Sequence, residues 1–133
     1  MVDWMIEVLS IYEHHHESYF LAVSIFDHYL SKTNRILSNE DVHISGAVAM
    51  FLSSKHEEIK PLYMKSMINK VCHKAFTKNQ LIQKELEVCQ ALNFRITHVT
   101  PYNFLDWIEL FFQEKFARAD ISNCLRRLND QAV

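Results

Sequence analysis

A single glycine, Gly46, and two prolines, Pro61 and Pro101, serve all 133 residues. Tight turns draw on these residue types, so a many-stranded sandwich or barrel, with a turn every ~8–12 residues, cannot be built from this chain. A phosphate-cradling loop, which needs several glycines, is excluded as well. The fold class is therefore all-α. Hydrophobic residues make up 49% and charged residues 23%, with a net charge of −2, which supports one packed core and rules out disorder.

Cys72, Cys89 and Cys124 are odd in number, widely spaced and free of any CxxC pair. That pattern fits neither a disulfide framework nor a structural zinc site, and it suits a reducing compartment. Met1-Val2-Asp3-Trp4 has no basic leader, and no apolar run approaches ~18 residues, so the expectation is a soluble intracellular protein with no membrane partner. The charge balance is near neutral and Arg126-Arg127 is the one basic cluster singled out. A nucleic-acid partner is therefore not expected, and a protein partner is.

Helical periodicity recurs in blocks along the chain. The first spans about 1–13, with Asp3, Glu7 and Ser10 on a narrow polar arc, and its lack of a preceding cap predicts a helix that starts upstream. Glu13-His14-His15-His16-Glu17 is a polar joint before a second helix at about 18–31. A third, at about 39–57, mixes small and large residues from Ile44 to Ser54, as a central helix closely approached by neighbours would. Pro61 fits a first-turn proline opening a helix at about 61–72, and Thr77 with Gln80 forms a capping box for one at about 78–92. Thr100-Pro101 opens a helix at about 101–116, and Asp120 caps a last one at about 121–131.

Three charges stand on apolar stripes. Lys55 continues Ile44, Val48 and Phe51; Glu85 lies among Leu81, Val88 and Leu92; Asp27 lies among Phe20, Val23 and Leu30. Charges so placed are costly unless partnered. Either Lys55 snorkels at a helix end and pairs with Glu85 within the fold, or both remain unpaired in the free chain and await another protein's groups. Pattern alone leaves both readings open.

The run Glu13 to Glu17 invites a metal, but consecutive residues radiate in different directions and no second cluster completes a ligand set, so no metal and no cofactor are expected. Cys72-His73 lacks the third group and oxyanion donors of a nucleophilic pair. No catalytic residue is assigned, and the chain is expected not to be an enzyme.

The residues do resemble a known family. Val2-Asp3-Trp4-Met5-Ile6-Glu7-Val8 resembles the opening of the cyclin box, and Leu21-Ala22-Val23 through Asp27-His28-Tyr29-Leu30-Ser31 resembles its second-helix signature. Ser54-Lys55-His56-Glu57-Glu58-Ile59 followed by Pro61 is similar to the family's Ser-Lys-aromatic-Glu-Glu-Ile-x-Pro segment. Glu85, Leu92-Asn93-Phe94 and Phe104-Leu105 resemble its later landmarks. The likeness runs over about residues 1–112 in order and spacing, nearest to mitotic A/B-type cyclins.

The resemblance implies a five-helix cyclin box over 1–96 packed around helix three, then a linker and helices over 97–133 that begin an incomplete second box. It implies a non-catalytic activating subunit of a cyclin-dependent protein kinase in cell-cycle control, located in nucleus or cytoplasm. Residues matching Lys55 and Glu85 hold main-chain groups flanking the kinase C-helix, with His56 beside them and Leu52, Cys89, Phe94 and Ile96 supplying apolar contact. Trp4, Glu7, Val42 and His43 match a groove that docks Arg-x-Leu-type peptides of substrates or inhibitors. Two substitutions depart from the pattern: His56 replaces an aromatic residue and His43 replaces glutamine. The family's Arg partner of Asp27 would lie before Met1, which makes ionised Asp27 costly here. A transcription-factor-like cyclin-fold adaptor on a protein/DNA complex is the alternative, and it would require a basic face.

Overall fold

The computed structural model describes the backbone of residues 1–131 and the side chains of residues 1–118. The chain divides into two compact units, Met1–Thr100 and a second beginning at Pro101. Among the described residues all regular structure is helical.

The first unit contains α1 (Val2–Ile11), α2 (His16–Lys32), α3 (Asn39–Glu57), the short α4 (Met64–Ser66) and α5 (Lys78–Ala91). A π-helical turn, Met67–Val71, continues directly from α4. α3 is the centre, touching α1, α2, α5 and the π turn. Every residue from Ile44 to Ser54 is buried, so α3 is covered on all sides. At Gly46 a Cβ would lie 2.6 Å from Sδ of Met1, the residue that precedes α1.

A helix buried all round must satisfy its own polar groups. Ser45 Oγ donates to the Asp41 carbonyl at 2.6 Å and Ser53 Oγ to the Met50 carbonyl at 3.0 Å. Ser54 Oγ accepts from the Leu62 N–H at 2.7 Å. The helix expected from Pro61 is corrected: Tyr63 is extended and α4 starts only at Met64, with Leu62 buried and its N–H held by Ser54 on α3, which ties the chain before α4 to the core.

One cap agrees with the sequence reading and a second was not anticipated there. Thr77 and Gln80 form the expected capping box, and Ser38 with Asp41 forms another that begins α3. At the other ends, glycine is missing from positions that favour it. Glu13 (φ 53°) and Asn93 (φ 50°) take left-handed conformations just past α1 and α5. Each sits in a six-to-one closure, from the His14 N–H to the Leu9 carbonyl and from the Phe94 N–H to the Cys89 carbonyl.

Asp27 also corrects an expectation. The core face of α2 is Leu21, Ala22, Ile25, Phe26 and Tyr29, and Asp27 points outward. Its neighbours Phe20, Val23 and Leu30 are only half-buried, so its carboxylate keeps its water.

In the second unit, α6 runs without a break over Pro101–Gln131. The helix start expected at Asp120 is absent, since Ala117-Arg118-Ala119 are strong helix formers with no glycine or proline among them. Its large apolar residues Phe104, Trp107, Phe111 and Phe116 are exposed. Among the described residues no helix is long and apolar enough to cross a membrane.

Two stability outcomes follow. Ser54→Ala leaves the Leu62 N–H buried without an acceptor and lowers unfolding free energy by about 1–3 kcal/mol in urea melts. Glu13→Gly removes the left-handed penalty at an exposed site and raises it by about 0.5–1 kcal/mol, the excess of that penalty over the entropy cost of glycine.

Candidate functional site

Lys55 lies in the last turn of α3 and Glu85 midway along α5, two helices packed side by side. Lys55 Nζ donates to Glu85 Oε1, with the two side chains 41% and 20% exposed. The ammonium also stands 4.0 Å from the centre of the Phe51 ring. Of the two readings that pattern leaves open, the free chain therefore forms the internal pair, and the charges do not stay unpaired. Helical geometry explains the arrangement: Phe51 and Lys55 are one turn apart, so the ammonium can stand over the ring and still reach Glu85 on the neighbouring α5.

Around the pair, Leu52 and Cys89 are buried, Ile96 packs against the core, and Phe94 is 65% exposed. Burial foremost, with the Glu85 charge, pushes the Cys89 thiol up, against the opposing pull of Lys55. Phe94 owes its exposure to the left-handed turn at Asn93-Phe94. His56 Nδ1 lies 2.9 Å from Glu57 Oε1, and its Nε2 lies 3.1 Å from Thr97 Oγ1. The segment after α5 is thus fastened to the end of α3 through Thr97 and His56.

The second predicted group lies at α1 and the start of α3. The Trp4 and His43 rings meet edge-on with centres 4.7 Å apart, and His43 meets Phe76 likewise at 5.5 Å. Trp4 and Val42 are half-buried and Glu7 is exposed.

Two polar clusters went unread in the sequence. Lys84, rather than Glu85, is the charged residue that α5 buries. Its Nζ lies 2.9 Å from Glu87 Oε2 and 3.4 Å from Asp41 Oδ1, while Tyr29 Oη donates to Glu87 Oε1 at 2.6 Å. Burial alone would lower the Lys84 pKa; the Glu87 hydrogen bond and nearby charges outweigh it and raise it. The adjacency of Lys84 and Glu85 on one helix made either a candidate for the apolar side, and only the packing of α5 on α3 chose between them.

The other cluster is at the histidine joint. Glu58 accepts from the His15 N–H at 2.7 Å and from Ser18 Oγ, and His15 Nδ1 lies 2.9 Å from its second oxygen. Among the described residues no group of three or more His, Cys, Asp or Glu is placed to hold a metal. Burial foremost pushes His14 down, and burial pushes the Cys72 thiol up to about 11, so that thiol is protonated at neutral pH and no nucleophile.

Burial opposes ionisation of Glu58, yet its hydrogen bonds prevail and hold it below the ordinary carboxylate value. A carboxylate depressed in the folded state stabilises above its unfolded pKa, and that contribution is lost as pH falls through the folded value. Glu58→Gln therefore lowers unfolding free energy by about 1–2 kcal/mol at pH 7, and the gap to the parent closes below about pH 4, measured by melts across pH.

The profile of the cyclin N-terminal domain matches residues 1–97. Over 105 residues, 79% of this chain, identity is 34% to G2/mitotic-specific cyclin-B3 of Gallus gallus, covering 25% of that protein. Identity is 30% to G2/mitotic-specific cyclin-B3 of Drosophila melanogaster, covering 18% of it, and 31% to Cyclin-B2-1 of Arabidopsis thaliana, covering 24%. The chain spans a quarter or less of the length of these relatives. With its family landmarks set around a buried third helix and the domain profile matching most of its length, this chain belongs to the cyclin family.

Proposed function

We propose that this chain is a non-catalytic regulatory subunit that binds a cyclin-dependent protein kinase and holds its C-helix in the active position. The observation that carries the reading is the Lys55–Glu85 pair bridging α3 and α5 at the surface; Phe94, exposed just past α5, and Ile96, packed against the core, supply apolar contact in this reading. One group donates and the other accepts, which suits the free carbonyls and amides at the two ends of a partner helix. Capturing the inward helix shifts the kinase toward the state in which its catalytic Lys–Glu pair forms. The cyclin contributes no reacting group.

The internal pairing does not oppose this role. A solvent-exposed ion pair contributes about 0.2–1 kcal/mol, whereas a charge-assisted hydrogen bond desolvated at an interface contributes about 1.5–3 kcal/mol. Exchanging one internal bond for two partner bonds is therefore favourable, and until then the pair holds both side chains in place.

Lys55→Ala, Glu85→Ala and the double variant test the reading with melting curves beside kinase-binding isotherms. Each single variant is expected to weaken kinase binding at least ~10-fold while changing monomer stability by less than about 1 kcal/mol. A monomer destabilised by more than about 2 kcal/mol with intact affinity removes the interface assignment.

We further propose that Trp4, Glu7, Val42 and His43 line a docking groove for Arg-x-Leu-type peptides, the Glu7 carboxylate facing the arginine. His43, wedged between Trp4 and Phe76, stands where the family has a hydrogen-bonding glutamine, so docking is expected to be weak. Fluorescence anisotropy with such a peptide should show binding that Trp4→Ala abolishes; affinity unchanged by that substitution excludes the groove.

A further inference from the structure

The near-neutral net charge conceals a segregation. Residues 59–84 hold six lysines and no carboxylate, whereas the rest of the chain carries the remaining eight of 14 basic side chains and all 16 acidic ones. Lys84 is buried and paired. The other five, Lys60, Lys65, Lys70, Lys74 and Lys78, are exposed, and none has an ion-pair partner among the described residues.

These lysines ride on a fixed backbone. Met67, Val71 and Cys72 are buried on the inner side of α4 and the π turn, which leaves Lys65 and Lys70 on the outer side. Lys74 follows in a left-handed turn (φ 62°) whose N–H donates to the Ile68 carbonyl at 2.7 Å. Lys78 is the first residue of α5, and the first turn of that helix contains no acidic residue to offset it. A cation at that end, where the helix dipole is positive, costs stability in the free chain, and so does crowding like charges.

We propose that this surface, formed by α4, the π turn and the connection into α5, docks an acidic segment of a partner protein. Its charge is complementary to carboxylate or phosphorylated side chains, and its anchored backbone reduces what binding must order. Ile59 and Tyr63, 95% and 70% exposed, flank Lys60 and offer apolar contacts to a peptide. A protein segment is favoured over nucleic acid on two grounds. The patch has no arginine fork for phosphates or bases, and the acidic excess of the remaining chain repels a long polyanion running beyond it. The surface is distinct from Lys55 and Glu85 and does not depend on the kinase reading.

The test is fluorescence anisotropy of a labelled Glu-rich peptide of about a dozen residues with residues 1–133, in about 0.1 M salt. Saturable binding that weakens as salt rises is expected. Lys65→Gln, Lys70→Gln and Lys74→Gln together should weaken it about tenfold or more, the sum of three exposed charge pairs. The same three positions changed to Arg should retain binding, and Lys32→Gln, on α2, should leave it unchanged. If the triple Gln variant melts early, Lys70→Gln and Lys74→Gln singly, each at a temperature where it is folded, give the same reading. No saturable binding, affinity unaffected by the Gln variants, or tighter binding of duplex DNA or phosphatidylserine vesicles at equal salt overturns the proposal.

Discussion

Burial of α3 on every side is the constraint on which the rest of this domain depends. Eleven consecutive residues, Ile44 to Ser54, are removed from water, so the middle three turns of that helix face solvent on no side. Its three buried serines return their hydroxyls to nearby carbonyls or, in Ser54, to the Leu62 amide. A bond of that kind contributes only about 1 kcal/mol net, but an orphaned group at the same depth would cost more, so the serines make burial tolerable rather than drive it. The driving term is apolar burial against α1, α2, α5 and the π turn.

From that anchoring, the segment after Ser54 divides its work by direction. Ser54 and Glu58 turn inward and fasten the chain, one to Leu62 and the other to His15 and Ser18. Lys55 and His56 turn outward, one to Glu85 and the other to Glu57 and Thr97. A motif that reads as one functional signature is therefore half scaffold and half surface. The scaffold half fixes where the surface half emerges, and a loss of binding on mutating Glu58 would report a displaced joint rather than a missing contact.

Scarcity of glycine has a local consequence. With Gly46 used inside α3, left-handed positions fall to Glu13, His73, Lys74, Asn93 and Phe94. Asparagine tolerates that conformation best, and at Asn93 it closes α5 so that Phe94 projects outward beside the candidate partner face. The strain at His73-Lys74 lies in the turn that carries the unpaired lysines into α5. Four of the five left-handed positions thus lie in segments that carry two of the surfaces proposed to meet partners, a correspondence that runs from observed geometry to proposed role.

The sequence by itself determined the helical class, the central place of α3, the capping box at Thr77-Gln80 and the family, because each follows from local composition, spacing and ordered motifs. It located the side chains at the candidate face but not their state in the free chain. The helix expected from Pro61 begins only at Met64, after a stretch that burial of Leu62 and its bond to Ser54 hold against α3, and the break expected at Asp120 was overridden by strong helix formers around it. Asp27 stood on an apolar pattern yet faces water, whereas Lys84 is buried with partners from α2, α3 and α5 that no local pattern announces. Lys55 and Glu85 are 30 residues apart in sequence, and whether they touch depends on how α5 settles on α3. Periodicity fixes the angular position of a side chain about its own helix axis; only the packing of one helix on another decides which of two adjacent charges turns inward and which reaches across the rim.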